Sequence, residues 1–267
     1  MNALAADAPA VRACEAVFTR VVAGVDGSEP GFEAARQAAR LVTQDGWLET
    51  FTAVDLVQAN RVGLAAPRVR AELEQEAVES ARYGAEIAGP RVHSRLVNGP
   101  PLQSLMRELE ETRATLAVVG THGHSRASEI LVGGVAGELL HCAPCSVCIA
   151  RPPPSKALLP RSIVVGVDGS EQSAAAVAVG RYLSARFHAA VSPVSALGGK
   201  NVDHARADEL GAISVQEHPV EALVQASKDA DLLVVGSRGL HGVKALGSVS
   251  ERVAHRASCS VLVVRGR

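Results

Sequence analysis

The sequence predicts an α/β protein of two tandem domains, each a doubly wound parallel sheet, with the second copy shortened. Three observations lead to this fold class. Short apolar strands alternate with amphipathic helices, as in parallel sheets that are covered on both faces. Three segments recur in the same order along the chain. A proline-rich stretch, Arg151–Arg161, separates the two copies.

The internal repeat consists of segments that recur in the same order. "VVAGVDGSEP" at Val21–Pro30 returns as "VVGVDGSEQ" at Val164–Gln172, 142 residues later when the aspartates are aligned. The glycine that ends a later strand, Gly120, returns as Gly236 after 116 residues, and the segment around Cys145 returns after 114. The second copy is therefore 26 residues shorter between the first two segments and two shorter between the last two. An ordered recurrence of this kind indicates duplication.

Nine elements are predicted in the first copy from apolar periodicity. Proline at the start of the third helix suits an N-terminal turn. The second copy keeps the order, but only Asn201–Leu210 stands where the first copy has its long charged helix. The predicted strands are Val21–Val25, Leu48–Val57, Arg91–Val97, Leu116–Val119 and Val147–Ala150, and the predicted helices are Gly31–Thr43, Arg70–Ala88, Pro101–Arg113 and Val135–Cys142.

The composition limits the classes of function. With 267 residues, 47% apolar and 21% charged, the chain is long enough for two cores. A net charge of −1 and 3% aromatic residues do not fit a nucleic-acid binder. No apolar run reaches the roughly 18 residues of a membrane span, and no leader is recognised near Asp7 and Glu15, so a cytoplasmic protein is expected.

Domain boundaries follow from the repeat and from the prolines. Consecutive prolines favour an extended, stiff connector and exclude helix. We expect a tail over residues 1–16, a first domain over 17–151, a linker over 152–160 and a second domain over 161–267.

The glycine-rich stretch Gly120–Gly134 lies between a strand and a helix, where ligands bind in open α/β sheets. A helix N-terminus offers unpaired N–H groups and positive dipole charge, which suit phosphate, and glycine allows close approach. Asp26 ends the first strand and is predicted to face the same crevice. The alternative is an ordinary turn, with Ser28 or Asp26 as a helix cap and no ligand.

These segments together resemble a tandem universal stress protein from about Thr19 to Arg265. In nucleotide-binding members of that family the loop reads Gly, two residues, Gly, nine residues, Gly, then Ser or Thr, and the first strand ends in an Asp that contacts the nucleoside. The first copy matches the spacing but has glycine in place of the hydroxyl: Gly120, Gly123, Gly133, Gly134. The second copy keeps the hydroxyl but has only seven residues before its last glycine: Gly236, Gly239, Gly247, Ser248.

The resemblance implies further ligand contacts at matching positions. His122 lies in the loop, Val135 follows its last glycines, and Val54 and Val194 near the ends of the second strands would offer backbone groups to adenine. For these two valines, plain core positions are an equal alternative. The nucleoside ends of the two sites would be lined by Gly24 and Asp26 in the first copy and by Gly166 and Asp168 in the second.

The function implied is binding of ATP, or of ADP or AMP, possibly with Mg²⁺, by a stress-response sensor or regulator. The first copy is expected to be the better site, because losing one hydroxyl contact costs on the order of 1 kcal/mol, whereas two missing residues shorten a loop by up to roughly 7 Å. The sequence has no GxxxxGK[ST] motif and no evident catalytic group, so slow hydrolysis at most is expected, with Arg126 and Arg238 near the phosphates.

Two other interpretations stay open. A scaffold that binds partner proteins without nucleotide would tolerate the altered loops, whereas an enzyme for adenylated substrates would need a catalytic group that the sequence does not display. Cys142, Cys145 and Cys148 have a spacing that thiolate metal sites use, but the second copy keeps only the middle one, as Cys259, so no permanent metal is expected.

Assembly is a further expectation from the resemblance. In that family the last strand pairs with its counterpart in another domain, so Val147–Ala150 and Val261–Val264 are expected to form a pseudo-dimer within the chain. Pairing would also remove an exposed strand edge. A homodimer and an unknown regulatory partner protein are expected as well.

Overall fold

A computed structural model describes residues 18–57, 67–122, 133–153, 160–199, 202–237 and 248–266 of the chain. These residues form two compact units: one is Thr19–Pro152, and the other is Pro153–Arg267 together with Phe18. Each unit is a mixed α/β domain with a parallel sheet, as the sequence predicts. None of the described helices combines the length and the hydrophobicity that a membrane span requires.

The first domain contains five strands in the order β3-β2-β1-β4-β5, and neighbouring strands run parallel. Apolar residues of β1 and β4 are fully buried, because helices cover both faces of these central strands. The elements are β1 Arg20–Gly24, α1 Glu29–Leu41, β2 Trp47–Val54, α2 Pro67–Ala88, β3 Val92–Asn98, α3 Pro101–Glu111, β4 Leu116–Gly120, α4 Gly134–Cys142 and β5 Ser146–Ala150.

The second strand is shorter than the sequence predicts. The expectation that it reaches Val57 is wrong, because β2 ends at Val54 and Leu56–Val57 form a helical turn. Two bonds fix this end: the Gly99 N–H donates to the Val54 carbonyl at 3.0 Å, and the Leu56 N–H donates to Asn98 Oδ1 at 3.3 Å. The Asn98 side chain of the neighbouring strand β3 therefore helps to fix the point at which the chain leaves the sheet.

Helices α2 and α3 cover the sheet to different extents. The long α2 buries only three small residues, Ala77, Ala81 and Gly84, and Gly84 lies against the Val25 side chain. Its charged remainder faces solvent, as predicted. The shorter α3 buries Leu105 and Leu109 and packs against β2, so it forms one wall of the crevice described below.

The second domain repeats the arrangement with its strands in the order β10-β9-β6-β7-β8. A single short helix, α6, replaces the long α2, in keeping with the deletion seen in the sequence. The elements are β6 Ser162–Gly166, α5 Glu171–Phe187, β7 Ala190–Ala196, α6 His204–Glu209, β8 Ile213–Val215, α7 Pro219–Ala226, β9 Leu232–Ser237, α8 Ser248–Arg256 and β10 Ser260–Arg265.

Candidate functional site

A cleft of about 220 Å³ opens at the carboxyl ends of β1, β2 and β4 in the first domain. This is the edge of a doubly wound sheet where ligands are expected. The start of α4 and the start of α3 complete its walls. Its lining residues are Gly24, Val25, Asp26, Gly31, Phe51, Ala53, Pro101, Leu105, Val119, Gly120, Thr121, His122, Gly133, Gly134, Val135 and Ala136.

Asp26 is held in place by the helix cap that follows it. Asp26 Oδ1 accepts the Ser28 N–H at 3.1 Å and the Ser28 hydroxyl at 2.5 Å. The same Ser28 oxygen accepts the Gly31 N–H at 3.2 Å and so caps α1. Ser28 rather than Asp26 is therefore the capping residue, and the carboxylate stays solvent-exposed at the cleft.

Gly31 leaves room for that carboxylate. A Cβ atom added to Gly31 would lie 2.5 Å from Asp26 Oδ1 and 3.1 Å from the Asp26 backbone nitrogen. A larger residue here would force the Asp26 carboxylate to shift. The second copy has Ser173 at the equivalent place and still keeps the Asp168–Ser170 bonds, so the cap itself does not need glycine. Sequence analysis did not single out Gly31.

The turn from β4 to α4 is closed by backbone contacts. The Gly133 N–H donates to the Thr121 carbonyl at 2.5 Å, which joins the end of the strand to the start of the helix. Gly120 packs on Pro30 so closely that an added Cβ would lie 2.6 Å from the Pro30 carbonyl carbon. The Thr121 hydroxyl lies 2.9 Å from His122 Nδ1, so this pair orients the imidazole at the mouth of the cleft.

The first turn of α4 supplies N–H groups to the cleft. Gly133 is its N-cap and has no side chain to accept a bond from the helix. Gly134, Val135 and Ala136, the first three residues of the helix, all line the cleft. Because the first N–H groups of a helix have no intrahelical partner, this wall is suited to an anion.

The opposite end of the cleft is apolar. Phe51 and Ala53 of β2 and Leu105 of α3 meet there, and Gly24 allows the Val119 side chain to approach. Residues 51 and 53 face the cleft because side chains alternate along a strand. Val54 therefore does not line it, and its carbonyl accepts the Gly99 N–H.

The structure thus brings together seven of the residues predicted for the first copy. They are Gly24, Asp26, Gly120, His122, Gly133, Gly134 and Val135. Gly123 and Arg126 lie outside the described residues. The residues that sequence analysis missed are mainly apolar or small side chains of the walls, whose identity is shared with ordinary core positions.

The equivalent acid of the second domain lies in a more crowded place. The Asp168 carbonyl accepts the Asp203 N–H at 3.0 Å, and a Cβ on the neighbouring Gly169 would lie 2.4 Å from the Asp203 carbonyl oxygen. Asp168 is half-buried and Gly169 is buried. The short segment that replaces α2 therefore packs directly on the turn after β6.

The rest of the second crevice is only partly described. Gly236 packs on Gln172 as Gly120 does on Pro30, and its carbonyl accepts the Ser250 hydroxyl at 3.0 Å. Ser248 is the first residue of α8, and Gly239, Arg238 and Gly247 lie outside the described residues.

Two other positions of the second domain bear on the prediction. Gly166 faces Leu223, as Gly24 faces Leu105. Val194 pairs with Gly166 just as Phe51 pairs with Gly24, so its counterpart in the first domain is Phe51 rather than Val54. Its carbonyl accepts the Val167 N–H at 2.9 Å.

The cysteine cluster is split among different environments. Cys142 is exposed at the end of α4, whereas Cys145 and Cys148 are buried. The Cys148 thiol lies 3.9 Å from Gln37 Oε1. Among the described residues, no group of three His, Cys, Asp or Glu side chains is placed to hold a metal ion.

Sequence comparison decides the family. The sequence model of the universal stress protein family matches residues 18–151 and 202–265, which together include both glycine loops. The chain belongs to the universal stress protein family. Two matched segments in one chain make it a tandem member, and the first strand and helix of the second domain fall outside the second match.

Relatives with the same family name come from bacteria and archaea. A universal stress protein of Mycobacterium tuberculosis is 30% identical over 207 residues, which span 66% of this chain and 69% of the relative. One from Methanocaldococcus jannaschii is 28% identical over 151 residues, which span 54% of this chain and 88% of the relative.

Solved structures show the same fold at low sequence identity. A universal stress protein from Archaeoglobus fulgidus superposes with a TM-score of 0.70 at 19% identity, covering 93% of this chain and 98% of that one. A second one from Pseudomonas aeruginosa gives 0.65 at 16% identity, covering 95% of each chain.

Proposed function

We propose that this universal stress protein binds an adenine nucleotide, ATP or its products ADP and AMP, in the cleft of its first domain, and that it acts as a stress-response regulator. One observation carries the proposal. A single cleft places the exposed carboxylate of Asp26 opposite the N-terminal turn of α4, with an apolar end between β2 and α3.

Each part of the cleft matches one part of the ligand. The apolar end formed by Phe51, Ala53 and Leu105 suits a purine base, whose faces are apolar. The Asp26 carboxylate is placed to accept hydrogen bonds from ribose hydroxyls. The N–H groups at the start of α4 suit the phosphates. At about 220 Å³ the cleft is smaller than the roughly 300–1,000 Å³ of drug-sized pockets, so it fits the nucleoside, with the phosphates towards α4.

Magnesium would be held mainly by the phosphates of the nucleotide. Mg²⁺ binds through one or two carboxylates plus phosphate oxygens and water. Asp26 is the one carboxylate among the described cleft residues, and Ser28 already donates to it. We therefore propose no resident metal, and Mg²⁺ only as a companion of ATP.

Hydrolysis is proposed to be slow at most. The described lining of the cleft contains no lysine or arginine to stabilise charge on a transferred phosphoryl group. His122 is its one imidazole, and its Nδ1 atom faces Thr121. A regulator that changes with the bound nucleotide needs no fast turnover. We place it in the cytoplasm, with a partner protein as its target and a homodimer, or the internal pairing of its two domains, as its assembly.

A nucleotide-independent scaffold is the second candidate. Two observations favour it: glycine stands at position 134 where a hydroxyl is expected, and the Asp168 turn of the second domain is packed against Asp203. Under this alternative both crevices are structural remnants, and the protein works through its surfaces.

The deciding experiment is the nucleotide content of the purified protein. The protein is prepared without added ligand and denatured, and the supernatant is separated on a column that resolves AMP, ADP and ATP. About one nucleotide per chain, lost in Asp26→Ala but kept in Asp168→Ala, supports the proposal. An empty protein whose melting temperature does not rise in millimolar ATP contradicts it and favours the scaffold.

A further inference from the structure

A pair of buried glutamates lies directly behind the apolar end of the cleft. Glu49 of β2 is 5% exposed and Glu108 of α3 is 3% exposed. Glu49 precedes Phe51 on the same face of β2, and Glu108 follows Leu105 by one turn of α3. Phe51 and Leu105 both line the cleft, so the pair joins its two apolar walls from behind.

The charges around this pair do not balance two buried carboxylates. Arg95 of β3 lies 2.7 Å from Glu108 Oε2, but its second contact is with Glu111, at 3.9 Å. Glu49 Oε1 is buried without a hydrogen-bond partner among the described residues. Burying an ionised carboxylate without a partner is costly, so one of the two acids has to be neutral.

Two other ionisable groups lie nearby on this face of the sheet: His93 pairs in register with Glu49, and Arg20 pairs with Trp47. His93 of β3 stacks on Trp47 with the ring centroids 5.4 Å apart. Arg20 of β1 donates to the Thr112 carbonyl at 3.1 Å. Both groups make these other contacts, and among the described residues Arg95 is the cation that contacts the pair, through Glu108.

We propose that Glu49 and Glu108 share one proton, and that this proton makes the packing of α3 on β2, and through it the affinity of the cleft, depend on pH. The side chains of Glu49 and Glu108 can form a hydrogen bond when one of them carries the proton, and they repel each other when both are ionised. Loss of the proton puts two negative charges between β2 and α3 and pushes Phe51 and Leu105 apart. The effect on affinity rests on the proposed nucleotide binding, whereas the effect on stability does not.

The direction of the pH dependence follows from the environment of the pair. Burial, and then the charge of Glu108, raise the pKa of Glu49 from 4.5 to about 7, against the opposing effect of Arg95. The folded protein therefore binds more protons than the unfolded chain between about pH 4.5 and 7. The stabilisation from the shared proton is complete below this window and is lost as the pH rises through it.

Trp47 provides a local readout, because it is the one tryptophan of the chain and lies two residues from Glu49. Urea unfolding is followed by its fluorescence from pH 5 to 8 in the ligand-free full-length protein. We expect the wild-type midpoint to fall as the pH rises. In Glu49→Gln, which mimics the neutral acid, the midpoint should be higher at pH 8 and this fall should be largely lost.

His93→Gln is the matched control, because His93 is the register partner of Glu49 on β3 and stacks on the reporter. It should keep the wild-type fall in the midpoint. A Glu49→Gln protein with the wild-type pH dependence, or one less stable than wild type at pH 8, overturns the proposal. If the variant does not fold, carboxyl NMR of the ¹³C-glutamate-labelled wild type decides: one glutamate titrating near neutral pH supports the pair, and none overturns it.

The link to the ligand is tested by ATP affinity at pH 6 and pH 8. The ratio of the two dissociation constants in wild type is divided by the ratio in Glu49→Gln, which removes the pH effects that the two proteins share, including the titration of ATP itself. We expect weaker binding at pH 8 by at least about fivefold in this corrected ratio, the lower end for coupled sites. A corrected ratio of one overturns the link. Absence of any ATP binding rejects the proposed function but leaves the urea result as the test of the pair.

Discussion

The two crevices of this chain start from the same sequence and reach different states. In each, an Asp-Gly-Ser turn follows the first strand and the serine caps the next helix: Ser28 accepts the Gly31 N–H and Ser170 accepts the Ser173 N–H. Yet Asp26 is exposed at a cleft, whereas Asp168 is half-buried and its turn is bonded to Asp203. The comparison teaches that one repeated turn can differ in exposure between the two copies, because in the second copy the segment around Asp203 packs upon it.

The strongest test of this difference is removal of each aspartate in turn. Asp26→Ala should raise the dissociation constant for ATP by about 10- to 150-fold, because a hydrogen bond to a charged group contributes about 1.5–3 kcal/mol. Asp168→Ala is the matched control and should leave the affinity unchanged. Isothermal titration calorimetry measures both, and equal losses in the two variants would show that the crevices are equivalent.

The next test uses Gly31, which Ser173 replaces in the second domain. Gly31→Ala places a methyl group 2.5 Å from the present position of Asp26 Oδ1, so the carboxylate has to shift. We expect ATP binding about fivefold weaker, from the loss of one hydrogen bond of about 1 kcal/mol. Ser173→Ala should not change the affinity, and an unaffected Gly31→Ala protein would mean that the orientation of Asp26 is irrelevant.

A gain of function tests the missing hydroxyl. Gly134→Ser adds a donor at the first residue of α4, where an added Cβ meets no atom within 4 Å. One hydrogen bond of about 1 kcal/mol should tighten ATP binding about fivefold. Gly137→Ser is the control, since Gly137 has equal space in the same helix but does not line the cleft. Equal effects of both variants would assign the gain to helix stability.

The smallest effect on binding is expected at the cover of the second crevice. Asp203 caps α6 by accepting the Arg206 N–H at 3.1 Å. Asp203→Ala should destabilise the second domain by about 1 kcal/mol, as for other lost caps, and leave ATP affinity unchanged, because its backbone bond to Asp168 remains. Urea unfolding followed by circular dichroism, with Trp47 fluorescence for the first domain, separates the two domains. A rise in bound ATP to two per chain would show that the Asp203 side chain alone closes the second site.

The fold was accessible from the sequence because its signals are local and repeated. Alternating strands and helices, the shared Asp-Gly-Ser turns and the shortened middle of the second copy all fix elements without knowledge of distant contacts. The errors lie where a distant residue decides. Asn98 of β3 bonds the chain after Val54, so β2 stops three residues before its predicted end.

The glycines and polar residues of the candidate cleft were predicted from the sequence, whereas its apolar wall residues were not. Gly24, Asp26 and the glycine loop stand out from any strand-and-helix background. Phe51 and Ala53 do not, because a cleft wall and a core face have the same composition. Val54, predicted to offer backbone groups, is not among the lining residues, while its strand neighbour Ala53 is. Side chains of successive strand residues point to opposite faces of the sheet.

The hydrogen bond from the Gly133 N–H to the Thr121 carbonyl connects the end of β4 directly to the start of α4. This bond joins two backbone positions that are 12 residues apart in the sequence, and bringing such positions together costs roughly 2 kcal/mol of chain entropy. This loss of entropy occurs when the domain folds, so ligand binding does not add it again. In the second domain the Ser250 hydroxyl on the Gly236 carbonyl similarly ties the strand end to the following helix. Because both ends are fixed, the length and sequence of the connecting segment can change during evolution while the sheet stays the same. Ligand preference can therefore change faster than the fold.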